Sequence, residues 1–280
     1  MKKGLVLEGG AMRGMFTCGV IDVFMENSIE FDGAIGVSAG AAFGCNIKSK
    51  QIGRPVRYNK KYCTDPRYSS YKHWLKTGDI FINEFVYDEL IYKLDPWDQK
   101  TFEENKMEFY CVATDIETGK PVYQLLKDGK KKDVEWIRAS ASMPVFSNPV
   151  KIDSHLYLDG GTTDSIPLQF LQSKGYDKIV VVETQPESYR KSKQKYMPFI
   201  QAKLHKYPNL IKALATRHHL YNAQKEYVKK QEQLGNVLVL RPKSPLNIKS
   251  ITHDPSELER VYQLGRQEAL DHLDEIKAFL

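Results

Sequence analysis

Three short glycine-bearing motifs hold the residues best suited to chemistry. Gly36-Val37-Ser38-Ala39-Gly40 has the G-x-S-x-G spacing that sets a serine on a tight strand-to-helix turn, its hydroxyl projecting from the sheet edge. Gly36 and Gly40 relieve crowding there, and the following helix aims its positive end at the site. Such a serine is shaped for attack on an acyl carbon; the plainer alternative is a small-residue turn in which Ser38 only caps the helix. Gly9-Gly10-Ala11-Met12-Arg13-Gly14 is a second strand-to-helix loop, whose backbone N–H groups can converge on one anion. One reading is a dinucleotide pyrophosphate site, since Gly9-x-Ala11-x-x-Gly14 is close to the Rossmann pattern, with Glu30 or Asp32 as the ribose acid. The other is an oxyanion hole in which donors around Gly10 and Ala11 stabilise a tetrahedral intermediate, each worth roughly a hundredfold or more in rate. Asp32 opens the second strand whereas a ribose-binding acid closes it, and Ser38 lies one strand away, so the oxyanion hole is favoured.

A serine nucleophile needs a base. His155 shares a predicted strand with Asp159, and four residues at about 3.3 Å each separate them by roughly 13 Å, too far for a triad pair. The other histidines, His73, His205, His218, His219, His253 and His272, carry no motif around them and default to surface or capping roles, His253 facing water before a helix cap. Asp159-Gly160-Gly161 ends a strand, where the catalytic groups of α/β sheets collect. A carboxylate with a reference pKa near 3.9 is ionised at neutral pH and can take the serine proton directly. A Ser38–Asp159 dyad, an ordinary D-G-G turn at 159–161 and a triad using a histidine all stay open on the residues alone.

The elements that must position these motifs alternate. Leu5-Val6-Leu7 reads as a buried strand, and Met15-Phe16, Val20-Ile21 and Val23-Phe24 are spaced for an amphipathic helix. Ala34-Ile35-Gly36-Val37 and the small residues of 39–47 repeat that unit. Further strands are expected at 108–116, 122–126, 150–158, 179–183 and 237–240, with helices between many of them. This predicts a mostly parallel sheet covered by helices on both faces. The last helix opens at Asp254-Pro255-Ser256-Glu257, with Asp as N-cap, Pro as first helical residue and Glu as reciprocal capping partner.

Composition bounds the rest. The chain has 280 residues, 41% of them hydrophobic and 27% charged, enough for a large core and too apolar for disorder. We expect one domain. The excess of 41 Lys plus Arg over 35 Asp plus Glu is +6, short of the clustered basicity of a nucleic-acid binder. Glu8 ends the first apolar run before a secretory segment forms, so no export signal is expected. The uncharged stretch 33–45 is too short to span a bilayer. Cys18, Cys45, Cys63 and Cys111 lie far apart and read as free thiols of a cytoplasmic protein with no metal site. Two basic runs, Lys127/Lys130/Lys131/Lys132 and Arg190/Lys191/Lys193/Lys195, have solvated loop surface as their ordinary reading. Region 197–234 could present Ile211, Leu214, Tyr221 and Val228 along one face to an anionic membrane, with Lys203, Lys206, Lys212, Arg217, Lys225, Lys229 and Lys230 supplying charge. The simpler reading docks that stripe on the sheet.

The three motifs, in this order, resemble the patatin-like family of lipid acyl hydrolases. Ala139-Ser140-Ala141-Ser142-Met143-Pro144-Val145-Phe146, followed by Pro149-Val150, is similar to the segment these proteins carry before their D-G-[AG] strand. The resemblance covers roughly 5–167. It implies an α/β/α sandwich with Ser38 as nucleophile, Asp159 as dyad base, the backbone around Gly9, Gly10 and Ala11 as oxyanion hole, and Arg13 and Gly14 supporting that loop. Gly36, Gly40, Gly160 and Gly161 are the supporting glycines of the other two motifs. Ala11 replaces a glycine common in the family loop, which is tolerable if its φ is negative; Asp164 stands where many relatives carry Asn. The implied activity is hydrolysis of fatty-acyl esters of lipids, of phospholipase A or lysophospholipase type, without metal or organic cofactor; phospholipid, lysophospholipid and neutral acyl ester all fit the motifs. A lipid ester is the expected partner, and contact with an anionic membrane would be peripheral. A nucleotide-binding protein and a silent lipid-binding protein are the competing classes.

Overall fold

The computed structural model describes residues 1–280. Two strand–loop–helix units come first: β1 (Lys3–Leu7) and α1 (Gly14–Glu26), then β2 (Gly33–Val37) and α2 (Ala39–Lys48). A helical insertion follows, made of α3 (Arg54–Tyr62), α4 (Tyr71–Thr77), a wide-turn helix over Phe85–Leu94 and α5 (Gln99–Glu104). Then come β3 (Glu108–Asp115), β4 (Lys120–Leu126), α6 (Lys131–Ala141), β5 (Val150–Ile152) and β6 (His155–Asp159). The remainder is α7 (Leu168–Ser173), β7 (Lys178–Val182), α8 (Met197–Lys203), α9 (Pro208–Gln233), β8 (Val237–Leu240), α10 (Pro255–Asp271) and α11 (Leu273–Phe279).

The strands form one sheet in the order β5-β6-β3-β2-β1-β7-β8, with β4 also paired to β3. The pairs among β3, β2, β1, β7 and β8 are all parallel, and those involving β4, β5 and β6 antiparallel. Strand β3 aligns the site. On one edge it pairs with β4 from Phe109 to Asp115. Its other edge is shared, by β2 up to Val37 opposite Val112 and by β6 down to Asp159 opposite Ala113. Two strands running toward each other thus end on consecutive residues of β3, and whatever follows Val37 must meet Asp159.

Alternation of side chains across the pleat splits the core in two. Leu5, Leu7, Phe109, Cys111, Val180 and Val182 face α1, α2, α6 and α10 in the larger cluster. Val6, Ile35, Val37, Val112 and Val181 face α7 and α9 in the smaller one. Both faces are covered, which is why these strands read as unbroken apolar runs. Helices α1 and α10 cross so closely that a Cβ on Gly265 would lie 1.9 Å from the Phe16 carbonyl oxygen.

Several expectations change. Residues 150–158 are not one strand but a hairpin, turned at Asp153 with φ +53°, a left-handed position an aspartate tolerates better than most. Asp254 caps α10 by accepting from the Ser256 N–H, whereas Glu257 pairs with Arg260 and does not reach back. His253, though exposed, bonds the Cys63 carbonyl. The stripe on α9 faces inward: Leu214, Tyr221 and Val228 are buried. Lys225, assigned above to a charged outer face, is buried against Glu183 at 2.6 Å. All four cysteines are free and buried.

Candidate active site

Ser38 occupies the sharp turn between β2 and α2 with φ +55° and ψ −120°, a conformation that costs a non-glycine residue on the order of 1–3 kcal/mol. Close packing holds it there. A Cβ on Gly36 would stand 2.2 Å from the Gly40 carbonyl oxygen, and one on Gly40 2.3 Å from that of Leu7, so neither position admits a larger residue. The hydroxyl does not cap α2. It donates to Asp159 Oδ2 at 2.6 Å, while Asp159 Oδ1 accepts the Gly161 N–H at 2.7 Å.

The end of α6 fixes both partners. Ser140 Oγ accepts the Ser38 N–H at 3.0 Å, and the Ser142 carbonyl accepts the Asp159 N–H at 2.8 Å. Thr114 Oγ1 adds a bond to the Asp159 carbonyl at 2.8 Å, and Gly160 packs on the Val112 backbone. Burial raises the Asp159 pKa above the usual carboxylate range, opposed by the Ser38 hydrogen bond, the Arg217 charge and the Gly161 N–H. Desolvation thus makes this carboxylate a better proton acceptor than an exposed aspartate.

The first glycine loop lies against the same site. Its base is tied down through Glu8, which accepts from the Thr184 N–H at 2.5 Å and from the Tyr221 hydroxyl at 2.6 Å. The N–H groups of Gly10 and Ala11 donate to no other group of the chain, and both residues line one cavity with Ser38 and Asp159. Arg13 and Gly9 line it too, whereas Gly14 opens α1 and packs its Cα against Ala39 and Phe43. Ala11 departs from expectation: its φ is +48°, so alanine here carries a left-handed strain of roughly 1–2 kcal/mol.

The dinucleotide reading loses its acid. Asp32 accepts the Lys3 N–H at 2.6 Å and Glu30 pairs with Lys50, both at the strand starts, the end of the sheet opposite the loop. The histidine triad loses its geometry. His155 sits beside Asp115, and no histidine lines either cavity that reaches Ser38. Asp164 is buried and binds the Tyr123 hydroxyl at 2.8 Å and Gln224 Nε2 at 2.6 Å, a strut between β4 and α9.

Ser38 stands where two cavities of opposite character meet. One is lined almost wholly by apolar side chains of α2, α6 and the helical insertion, among them Phe43, Tyr58, Leu90, Trp97 and Ile137. The other is polar and holds Arg13, Lys191 and Arg217 beside Asp159. Lys191, read above as solvated loop, has its pKa pulled down to about 8 by burial and by the Arg217 charge. Arg217 donates from Nε to the Gly161 carbonyl. Neither residue carried a local signal, nor did Ser140 beyond its place in the 139–146 stretch. No group of three or more His, Cys, Asp or Glu is placed to hold a metal ion, and no helix is long and apolar enough to cross a membrane.

Fold and site define an α/β protein with a mostly parallel sheet and an elbow-borne serine hydrogen-bonded to a buried aspartate. The chain belongs to the patatin-like phospholipase family, whose model matches residues 5–171. A second model, for a domain of unknown function, DUF6363, matches 207–280. Among curated proteins the chain is 28% identical over 276 residues to the uncharacterized protein YjjU of Escherichia coli, covering 94% of this chain and 74% of that one. It is 26% identical over 188 residues to the lysophospholipase NTE1 of Debaryomyces hansenii, covering 64% of this chain and only 12% of that protein. Among solved structures, VipD from Legionella pneumophila superimposes with a TM-score of 0.50 at 13% identity, over 98% of this chain and 67% of that one. That likeness supports the patatin-like fold.

Proposed function

We propose that this chain, acting as one domain, is a serine acyl hydrolase that cleaves fatty-acyl esters of lipids through Ser38 and Asp159. The observation that carries the reading is the 2.6 Å bond from Ser38 Oγ to Asp159 Oδ2, made where an apolar cavity meets a polar one. Asp159 takes the hydroxyl proton as Ser38 Oγ bonds to the ester carbonyl carbon. The developing oxyanion is held by the free N–H groups around Gly9, Gly10 and Ala11, supported by Arg13 and Gly14. Collapse breaks the bond to the alcohol oxygen, which leaves with the proton from Asp159. Water then repeats the sequence: Asp159 takes its proton, the hydroxide attacks the acyl-serine, and the fatty acid departs as Ser38 regains the proton. No step calls on a metal or organic cofactor. The apolar cavity suits an acyl chain, and the lysophospholipase activity in the name of the NTE1 relative is of this class.

The test is covalent labelling. Wild type incubated with a long-chain alkyl fluorophosphonate should gain one adduct by intact mass, and Ser38→Ala none. An unlabelled folded wild type, with detergent or vesicles present, would overturn the proposal.

A further inference from the structure

The family matches divide the chain into 5–171, which carries the three motifs, and 207–280, whose role is unassigned. Helix α9 opens the second segment, and three of its side chains return to the site. Arg217, Tyr221 and Gln224 are spaced i, i+4 and i+7, so they share one face of the helix over about 10 Å of its length. That face meets both loops on which the dyad and the oxyanion hole depend.

Tyr221 reaches the glycine loop. Its hydroxyl donates to Glu8 Oε1 at 2.6 Å, while Glu8 Oε2 accepts the Thr184 N–H at 2.5 Å. Thr184 Oγ1 donates in turn to the Gly9 carbonyl at 3.1 Å, and a Cβ on Gly10 would stand 2.6 Å from that hydroxyl oxygen. Glu8 is 2% exposed. Without the Tyr221 donor one of its carboxylate oxygens is left buried and unsatisfied, which costs more than the net worth of the bond.

Arg217 and Gln224 reach the other loop. Arg217 Nε and Ser165 Oγ both donate to the Gly161 carbonyl, and the Gly161 N–H is the donor that holds Asp159 Oδ1. Gln224 donates to Asp164 at 2.6 Å and accepts the Ser165 N–H at 3.2 Å. The two loops follow β1 and β6, which are not neighbours in the sheet, and α9 is a single rigid element touching both. Oxyanion donors act only when they are correctly aimed, and a misplacement of about 1 Å can cost roughly a hundredfold in rate.

We propose that α9 braces the catalytic site, with Tyr221 and Arg217 as positioning residues: Tyr221 sets the oxyanion loop through Glu8, and Arg217 sets Asp159 through Gly161. The segment matched by the unassigned family is thereby a working part of the active site. This rests on the acyl-hydrolase reading for the chemistry that is positioned.

Hydrolysis of p-nitrophenyl octanoate by the full chain tests it. Both half-reactions pass through an oxyanion, so Tyr221→Phe should lower kcat roughly tenfold or more with KM within about twofold. Glu8→Gln should do the same, and adding Tyr221→Phe to it should cost less than about twofold more, because the two act as one unit. Val228→Ala, on the same helix face but packed in the smaller core cluster, should lower Tm and leave kcat within about twofold. Arg217→Met should lower kcat and raise the acid-side midpoint of kcat/KM. The charges of Arg217 and Lys191 both hold the Asp159 carboxyl down, with Tyr87 the further titratable group that its charge reaches, so losing one cation raises its pKa. Arg217→Lys should bring the midpoint back. Wild-type kcat in Tyr221→Phe, fully multiplicative losses with Glu8→Gln, an equal fall of kcat in Val228→Ala, or an unmoved midpoint in Arg217→Met would each overturn the brace while wild type still turns over and labels at Ser38. A wild type that does neither refutes the hydrolase reading, and this inference falls with it.

Discussion

Replacing Ser38 with glycine rather than alanine should make the protein more stable, contrary to the usual ranking of these residues. Both variants lose the hydroxyl bond to Asp159, a loss of about 1.5–3 kcal/mol for a charge-assisted bond, and this cancels in the comparison. Alanine keeps the backbone strain at φ +55° and ψ −120°, on the order of 1–3 kcal/mol, which glycine relieves. Against that, glycine gives the unfolded chain about 0.4–1 kcal/mol of extra entropy. The balance favours Ser38→Gly over Ser38→Ala by about 1–2 kcal/mol, or roughly 2–5 °C in Tm for a chain of this size. Urea unfolding followed by tryptophan fluorescence measures it as a shift of midpoint at unchanged slope. An alanine variant as stable as the glycine one would refute a strained elbow at Ser38.

Other outcomes follow from the same geometry. Because burial raises the Asp159 pKa and the base must be ionised, kcat/KM should fall on the acid side with a midpoint above the ordinary value of about 3.9. The folded state also binds that proton more tightly than the unfolded one, so the stability Asp159 contributes is fullest below its unfolded pKa and declines as pH rises through the folded one. Asp159→Asn should therefore gain stability relative to wild type across that window; a pH-independent difference would contradict this. Ala11→Gly removes a left-handed alanine and should leave stability unchanged or raise it by up to about 1 kcal/mol, whereas a clear loss in urea midpoint would mean the loop is not strained. Lys225→Met strands the buried Glu183 carboxylate and should destabilise by about 3–5 kcal/mol; a Tm within a degree or so of wild type would show that Arg241 alone suffices.

Much of the site was legible because glycine spacing is a local signature. The motifs around Ser38 and Asp159 mark the ends of β2 and β6, and those ends meet on consecutive residues of β3. Strand β8 came directly from its apolar run at 237–240. What escaped depended on long-range packing. The hairpin at Asp153 hides in alternation that continues through the turn. The φ of Ala11 is imposed by the loop around it rather than by residue type. Lys191 and Arg217 look like any basic surface residues until the 183–196 connection and α9 fold over the sheet edge. Ser140 acts through its hydroxyl and Ser142 through its carbonyl, both at the end of α6, and no spacing rule reports either.

The central claim is that Ser38 carries the acyl group, and rapid quenching tests it most directly. Wild type mixed with a long-chain p-nitrophenyl ester, stopped within the first turnover and digested, should show the acyl mass on the peptide containing Ser38, with a burst of nitrophenolate. In Asp159→Asn both should be greatly slowed, and in Ser38→Ala absent. Turnover retained by Ser38→Ala, or an acyl group found on another residue, would contradict the account.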